Sequence, residues 1–247
     1  MRRRFSIALA FALLATSAVR AEGDAEAEAR AVLEQLLGMS ARRELLELTP
    51  QAASRFTESA AKQLKRAYLL GPPETLVDQI LMVSPTHAAA RTSGEHEGEH
   101  WEGYVYLERE TEWRVVRLRS FRLTALEDER ARLRASKRTP QIADRLRNLD
   151  LTLASDRTLA SWFEAHHAEL EALTQELTVE REARRCRQLG LTRVERSAGA
   201  VHVVVGGIRR DGVGFLFSPE APPPPINPHN YLWVEPLGDG WFLYRTN

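Results

Sequence analysis

Residues 96–106, HEGEHWEGYVY, fit two zinc-site signatures at once. His96, Glu97 and His100 make H-E-x-x-H, and His96, Glu99 and His100 make the inverted H-x-x-E-H. Gly103 extends the first match to H-E-x-x-H-x-x-G. Whether this stretch is a helix or a hairpin decides the fold of the first half of the chain and its chemistry. On a helix, histidines at i and i+4 share a face and can both reach a zinc ion at ~2.0–2.1 Å, while the glutamate polarises a water. The composition opposes a helix. Gly94, Gly98 and Gly103 each cost up to ~1 kcal/mol relative to alanine there. Glu99 and Gly98 supply no apolar side chain to pin a helix to a core. The residues that follow, Tyr104 to Leu107, read as a strand.

The longer signature also fails. Tyr106 occupies the position at which a metzincin would carry its third ligand, and Met1, Met39 and Met82 all precede the motif, leaving no downstream methionine turn. The segment is therefore expected to be a polar hairpin tip, with neither a catalytic residue nor a cofactor assigned to it. Loop length sets its register. With Glu97-Gly98 as a two-residue loop, His96 faces Glu99 and Glu95 faces His100, so the histidines lie on opposite faces. With Glu97 to Glu99 as a three-residue loop, His96 and His100 oppose each other with Cβ atoms ~4.5–5.5 Å apart, and a weak two-histidine metal site becomes available.

Outward from this tip the period is two. LVDQILMVS, a turn at SPTH, AAARTSG, EHWEGYVYLERE and EWRVVRLRSF predict a four-stranded antiparallel meander over residues 76–121. In the last strand the alternation of Trp113, Val115, Arg117 and Arg119 with Val116, Leu118 and Phe121 is only approximate. Before the meander, residues 24–70 predict helices. Ala29, Val32, Leu33, Leu36 and Leu37 recur at helical spacing, with Gly38 as a stop. Ser40 caps ARRELLEL, Thr49-Pro50 opens another turn, and Thr57 caps ESAAKQLKRAYLL, which Gly71-Pro72-Pro73 ends.

The second half repeats the order. Thr124 and Glu127 form a capping box before ALEDERARLRASK, a segment charged all round and expected to be a solvated connector. Thr139-Pro140 opens QIADRLRNLDL, and Ser155 or Asp156 opens RTLASWFEAHHAELEALTQEL, whose Leu159, Trp162, Phe163, His166, Leu170 and Leu173 form one stripe. His166 and His167 point ~100° apart on that helix, one expected to pack and the other to face water. Gly190 closes the last helix. LTRVERS, AVHVVVGG, GVGFLFS, YLWVEPL and WFLYRT predict five more strands in a second antiparallel meander. Between the third and fourth lies SPEAPPPPINPHN, read as a stiff polyproline loop.

The fold class is thus α+β, in two lobes that each place helices before a sheet. The expected divisions are 1–21, 24–122, 123–154 as a helical connector, and 155–247.

The N-terminus predicts export. MRRRF supplies charge, SIALAFALLA an apolar run, and TSAVRA the small residues of a cleavage site. The apolar run is too short to span a bilayer. Cleavage after Ala21 would remove Arg2, Arg3, Arg4 and Arg20 and no acid, taking the chain from 34 basic and 34 acidic residues to 30 and 34, a net charge of −4. That balance argues against nucleic acid as a partner. Of the basic residues only Lys62, Lys65 and Lys137 are lysines, a usage associated with GC-rich bacterial genomes. Cys186 is the single cysteine, so no intrachain disulfide forms and the fold rests on its core. It reads as a small apolar residue of a helix, not a catalytic thiol. Serines lie outside any G-x-S-x-G elbow, and GGIRRDGVG lacks the following helix that a phosphate loop needs.

Residues 24–122, ending in the strand pair YVYLERETEWRVVRLRSF, resemble the NTF2-like superfamily in their order of helices and strands. The resemblance implies a sheet curled around a pocket, and no catalytic residue transfers with it. The second half, ending GFLF…YLWVEPLGDGWFLY, resembles C-terminal segments of uncharacterised bacterial exported proteins. The functional expectation is a periplasmic or secreted envelope protein that binds a small molecule or a protein partner without catalysis. Its site would be a pocket in the first sheet or a cleft between the lobes. The alternatives are an NTF2-like enzyme with its pocket in the N-terminal sheet, a docking protein using residues 219–228 with exposed Tyr231 and Trp233, and, remotely, a zinc hydrolase built on His96, Glu97 and His100.

Overall fold

The computed structural model describes residues 23–38, 54–64, 75–96, 99–120, 123–176, 178–197, 199–208 and 211–246. The export segment 1–21, the helix after Ser40, the Thr49-Pro50 start, the Gly71–Pro73 stop and the loop residues Glu97-Gly98 lie outside them. The fold is α+β, as expected. Six helices and two antiparallel sheets are described, and the chain divides into two compact units, Met1–Ser120 and Phe121–Asn247.

In the first unit, helix α1 spans 23–38 and α2 spans Glu58–Leu64. Strands β1 (Leu76–Ser84), β2 (His87–His96), β3 (Glu99–Arg109) and β4 (Trp113–Ser120) form a sheet in sequence order, the predicted meander. Ala25, Ala29, Leu33 and Leu36 make the buried stripe of α1, which packs with Ile80, Ala88, Ala90, Val105, Leu107, Val115 and Leu118 on one face of the sheet. Each large aliphatic side chain buried there contributes about 1.5–3 kcal/mol. Thr57 caps α2 as predicted, its hydroxyl accepting from the Ala60 N–H at 3.4 Å. The residues before it cover the outer edge of β4: Thr57 N–H donates to Val115 O at 3.0 Å and Val115 N–H to Arg55 O at 2.8 Å.

The imperfect alternation of the last strand has a local cause. Tyr106 pairs with Arg117 but Leu107 with Val115, so Val116 is an extra residue in a β-bulge. The bulge lets Val115 and Leu118 both join the core. Arg117 and Arg119 instead fall in cross-strand rows with Tyr106 and Tyr104, and Arg91 of β2 lies on the other side of Tyr104.

The second unit holds α3 (Thr124–Arg134), α4 (Pro140–Thr152), α5 (Asp156–Gln175), α6 (Val179–Leu189) and β5 (Arg193–Ser197), β6 (Ala200–Ile208), β7 (Asp211–Phe217), β8 (Tyr231–Gly238) and β9 (Trp241–Thr246). Thr139 and Ser155 cap α4 and α5 by accepting from Ile142 N–H at 3.3 Å and Thr158 N–H at 3.1 Å, and Gly190 ends α6 with φ 77°. The capping box at Thr124 does not form. Leu123 is the N-cap of α3 without a side-chain bond, and its carbonyl accepts from Leu126 and Glu127. Residues 123–154, expected as a solvated connector, group with this unit. Leu123, Leu126 and Leu149 bury against Leu133, Leu153 and Ile208, so even a highly charged sequence hides a narrow apolar strip.

The second sheet has the predicted five strands but not a simple meander. Its order is β5-β6-β7-β9-β8. β7 and β8 both run antiparallel to β9, so they point the same way and need a crossover connection of a dozen or more residues. Residues 218–230, the proline-rich stretch, are that crossover. Gly238, Asp239 and Gly240, at φ 98°, 51° and 78°, then turn the chain tightly from β8 into β9. One sheet face carries Val203, Val205, Val213, Phe215, Trp241 and Leu243 against Leu159, Phe163, Leu170 and Leu173 of α5. There Arg245 Nε donates to Asp156 Oδ1 at 2.6 Å, at the start of α5, with both side chains buried. Trp233, expected at the surface, is fully buried, and Tyr231 is half-buried.

Candidate functional site

The segment that raised the zinc question forms strand on both sides of its tip. The register pairs His96 with Glu99 and Glu95 with His100. That is the parity of the two-residue loop, so the two histidines are not cross-strand partners and the zinc-protease helix is not formed. Among the described residues no group of three metal-ligating side chains comes together.

The other candidates scatter. His87 Nδ1 lies 3.0 Å from the Ser84 and Thr86 hydroxyls, closing the β1–β2 turn. The α5 backbone leaves helical geometry at His166, with φ −123° and ψ 16°. That kink lets both histidines pack, instead of one facing water. His166 stacks on Trp162 at 4.3 Å and bonds to the Trp162 carbonyl at 2.8 Å, while the His167 ring meets Phe163 edge-on at 5.2 Å. Cys186 is buried, and burial, with Glu182 adding to it, pushes its thiol up to about 11. It stays a neutral thiol at pH 7.

A concave site lies in the second unit, on the sheet face opposite α5. Its volume is about 490 Å³. The register explains how it is built. One cross-sheet row runs Arg193, Val204, Gly214, Tyr244, and the next runs Glu195, His202, Leu216, Phe242. Gly214 is what allows Tyr244 to lie down. A Cβ at position 214 would stand 2.7 Å from the Tyr244 hydroxyl oxygen and 2.5 Å from the Val203 carbonyl oxygen. The Tyr244 ring meets His202 edge-on at 5.5 Å and Tyr231 edge-on at 6.0 Å. Ile226 of the proline-rich crossover packs with Tyr244, Tyr231, Leu216 and Val234.

The far wall comes from α4. Asn148 Nδ2 donates to the carbonyls of Gly190 at 2.8 Å and Val205 at 2.6 Å, pinning α4 to the end of α6 and to β6. The threonine hydroxyls of the wall are engaged with backbone: Thr152 donates to Asn148 O at 2.8 Å and Thr192 to Val205 O at 2.7 Å. Arg145 makes a two-pronged ion pair with Glu129, both contacts at 2.8 Å, which lowers the Glu129 carboxyl pKa. Arg193 Nε holds Glu195 at 2.6 Å.

Burial holds the Tyr244 phenol above the ordinary tyrosine range, and burial likewise raises Tyr231. Burial lowers the His202 imidazole, with Glu195 partly opposing. All three aromatic groups are therefore neutral at pH 7. Sequence reasoning gave His202 and Tyr244 no role, and Tyr231 only that of an exposed docking residue. His202 and Tyr244 sit 42 positions apart in the chain, and the strand order that joins their neighbourhoods was not predicted. The one available signal was Gly214 in GVGFLF, a glycine inside a strand, which often marks a close approach.

The sequence matches no protein-family model, and no curated protein or solved structure matches it significantly.

Proposed function

We propose that this is an exported protein of the bacterial envelope, periplasmic or secreted, that acts as a non-enzymatic ligand-binding or accessory protein. Its second unit holds a small molecule on the sheet face opposite α5, and its first unit is an NTF2-like domain. The observation that carries the reading is the 490 Å³ site walled by Tyr231, Tyr244, His202 and Asn148, within the ~300–1,000 Å³ typical of small-molecule pockets. Its chemistry favours binding over turnover. The wall threonines donate to backbone carbonyls, Glu195 is held by Arg193, and the described lining contains neither serine nor cysteine. A base poised beside a nucleophile is what catalysis of this kind would need. The positive, arginine-rich N-terminus and its apolar run support export. No helix among the described residues is long and apolar enough to cross a membrane.

The test is a thermal-shift screen of the purified protein against a mixed small-molecule library. At least one compound class should raise the melting temperature. The shift should shrink in Gly214→Ala, whose methyl displaces the Tyr244 phenol, and in Tyr244→Phe, which keeps the ring. A library-wide absence of shifts would reject the reading.

A further inference from the structure

The Tyr244 site states something about its ligand, if the binding reading above holds. Three side chains converge there that can each donate and accept a hydrogen bond: the phenols of Tyr244 and Tyr231 and the imidazole of His202. None of the three makes a side-chain hydrogen bond to another described residue, and Tyr244 as a whole is only 5% exposed. They touch one another through ring edges alone, at 5.5 and 6.0 Å. A buried polar group left without a partner costs about 1–3 kcal/mol. A wholly apolar ligand would impose that cost at all three.

The charges of the lining favour neither an anion nor a cation. Among the described residues the ionic lining is Arg145, Arg193, Glu195 and Asp211, which sum to zero. Arg145 is held in its pair with Glu129, and Arg193 and Glu195 hold each other. A net anion or cation would compete with these exposed pairs for its counter-charge. The remaining complement is a ligand whose polar groups also both donate and accept, and whose body is apolar enough to lie against two tyrosine rings. We infer that the site takes a neutral, hydroxyl-rich ring compound, a saccharide or a cyclic polyol, held by Tyr244, Tyr231 and His202.

The experiment is calorimetric titration of the full chain at pH 7.5 with a matched panel. The panel holds neutral mono- and disaccharides and inositol, the charged analogues glucuronate and glucosamine, and the apolar ring compounds cyclohexane methanol and indole. The expected result is binding of at least one neutral saccharide or polyol, weaker binding of its charged analogue, and no binding of the apolar rings. Tyr244→Phe should weaken that binding ~3–10-fold, the loss of one neutral hydrogen bond. His202→Gln provides an independent second variant, and circular dichroism confirms that each variant is folded. Binding that neither variant changes places the sugar elsewhere and overturns the inference. Binding of only a charged or apolar compound, weakened by Tyr244→Phe, overturns the ligand class but leaves the binding site standing. Failure of the whole panel here, together with a silent library screen, overturns both.

Discussion

Arg245 lies near the end of WFLYRT, where a solvent-facing strand end would be the ordinary expectation, yet it is 1% exposed and paired with Asp156, which is 0% exposed. The pair ties the start of α5 to β9, and Arg245 also donates to the Ala154 carbonyl at 2.8 Å. Removing one partner of such a pair leaves a buried charge without its counter-ion, at a cost of about 3–5 kcal/mol, whereas replacing both with apolar residues is much milder. Asp156→Ala should therefore destabilise the second unit by about 3–5 kcal/mol in urea denaturation, and Asp156→Ala with Arg245→Met should recover much of that loss. If the double variant is as unstable as the single one, the ion pair is not the cause. The residue-scale signals that sequence does carry are caps. Thr139, Ser155 and Gly190 do what their neighbours predict, because an N-cap bond or a left-handed glycine depends on only three or four adjacent positions. Thr124 fails because the Leu123 carbonyl already accepts from Leu126 and Glu127 as α3 begins one residue early.

At the scale of elements, the β2–β3 hairpin and the fourth strand show how one residue redirects a surface. The two-residue parity at the tip leaves His96 opposite Glu99. Wild-type protein made without a purification tag and its His96→Ala/His100→Ala variant should therefore carry the same amount of zinc by mass spectrometry of the metal. Loss of stoichiometric zinc in the variant would restore the metal reading. In β4 the extra residue Val116 does the opposite work: it shifts the pairing so that Val115 and Leu118 both enter the core. A strict two-residue period cannot describe that strand, which is why its alternation looked irregular in the sequence. The proline-rich stretch is likewise explained at this scale. Thirteen residues connect strands that point the same way, and consecutive prolines keep that connection extended.

At the scale of the molecule, each unit has its own buried cluster. One is centred on α1 and β3, the other on α5 and β6–β9. A fragment spanning Phe121–Asn247 should thus fold alone, with a cooperative urea transition and mixed helix and strand circular dichroism. A fragment that shows no cooperative transition would mean that the second core needs the first unit. The same fragment contains every residue of the Tyr244 site, so ligand binding should survive in it. That site was illegible beforehand because its walls come from α4, β5, β6 and β9.

The sequence by itself determined the kinds of element, their approximate limits, most of the helix ends and the α+β class. These follow from periodicity, proline, glycine and capping chemistry, which act over a few neighbouring residues. Only the tertiary structure decided the β7-β9-β8 order, the burial of Trp233 and the meeting of Tyr244 with His202 and Tyr231. Strand order depends on which distant backbones pair, and a pocket depends on which faces those pairings bring together. Neither is a property of any one segment.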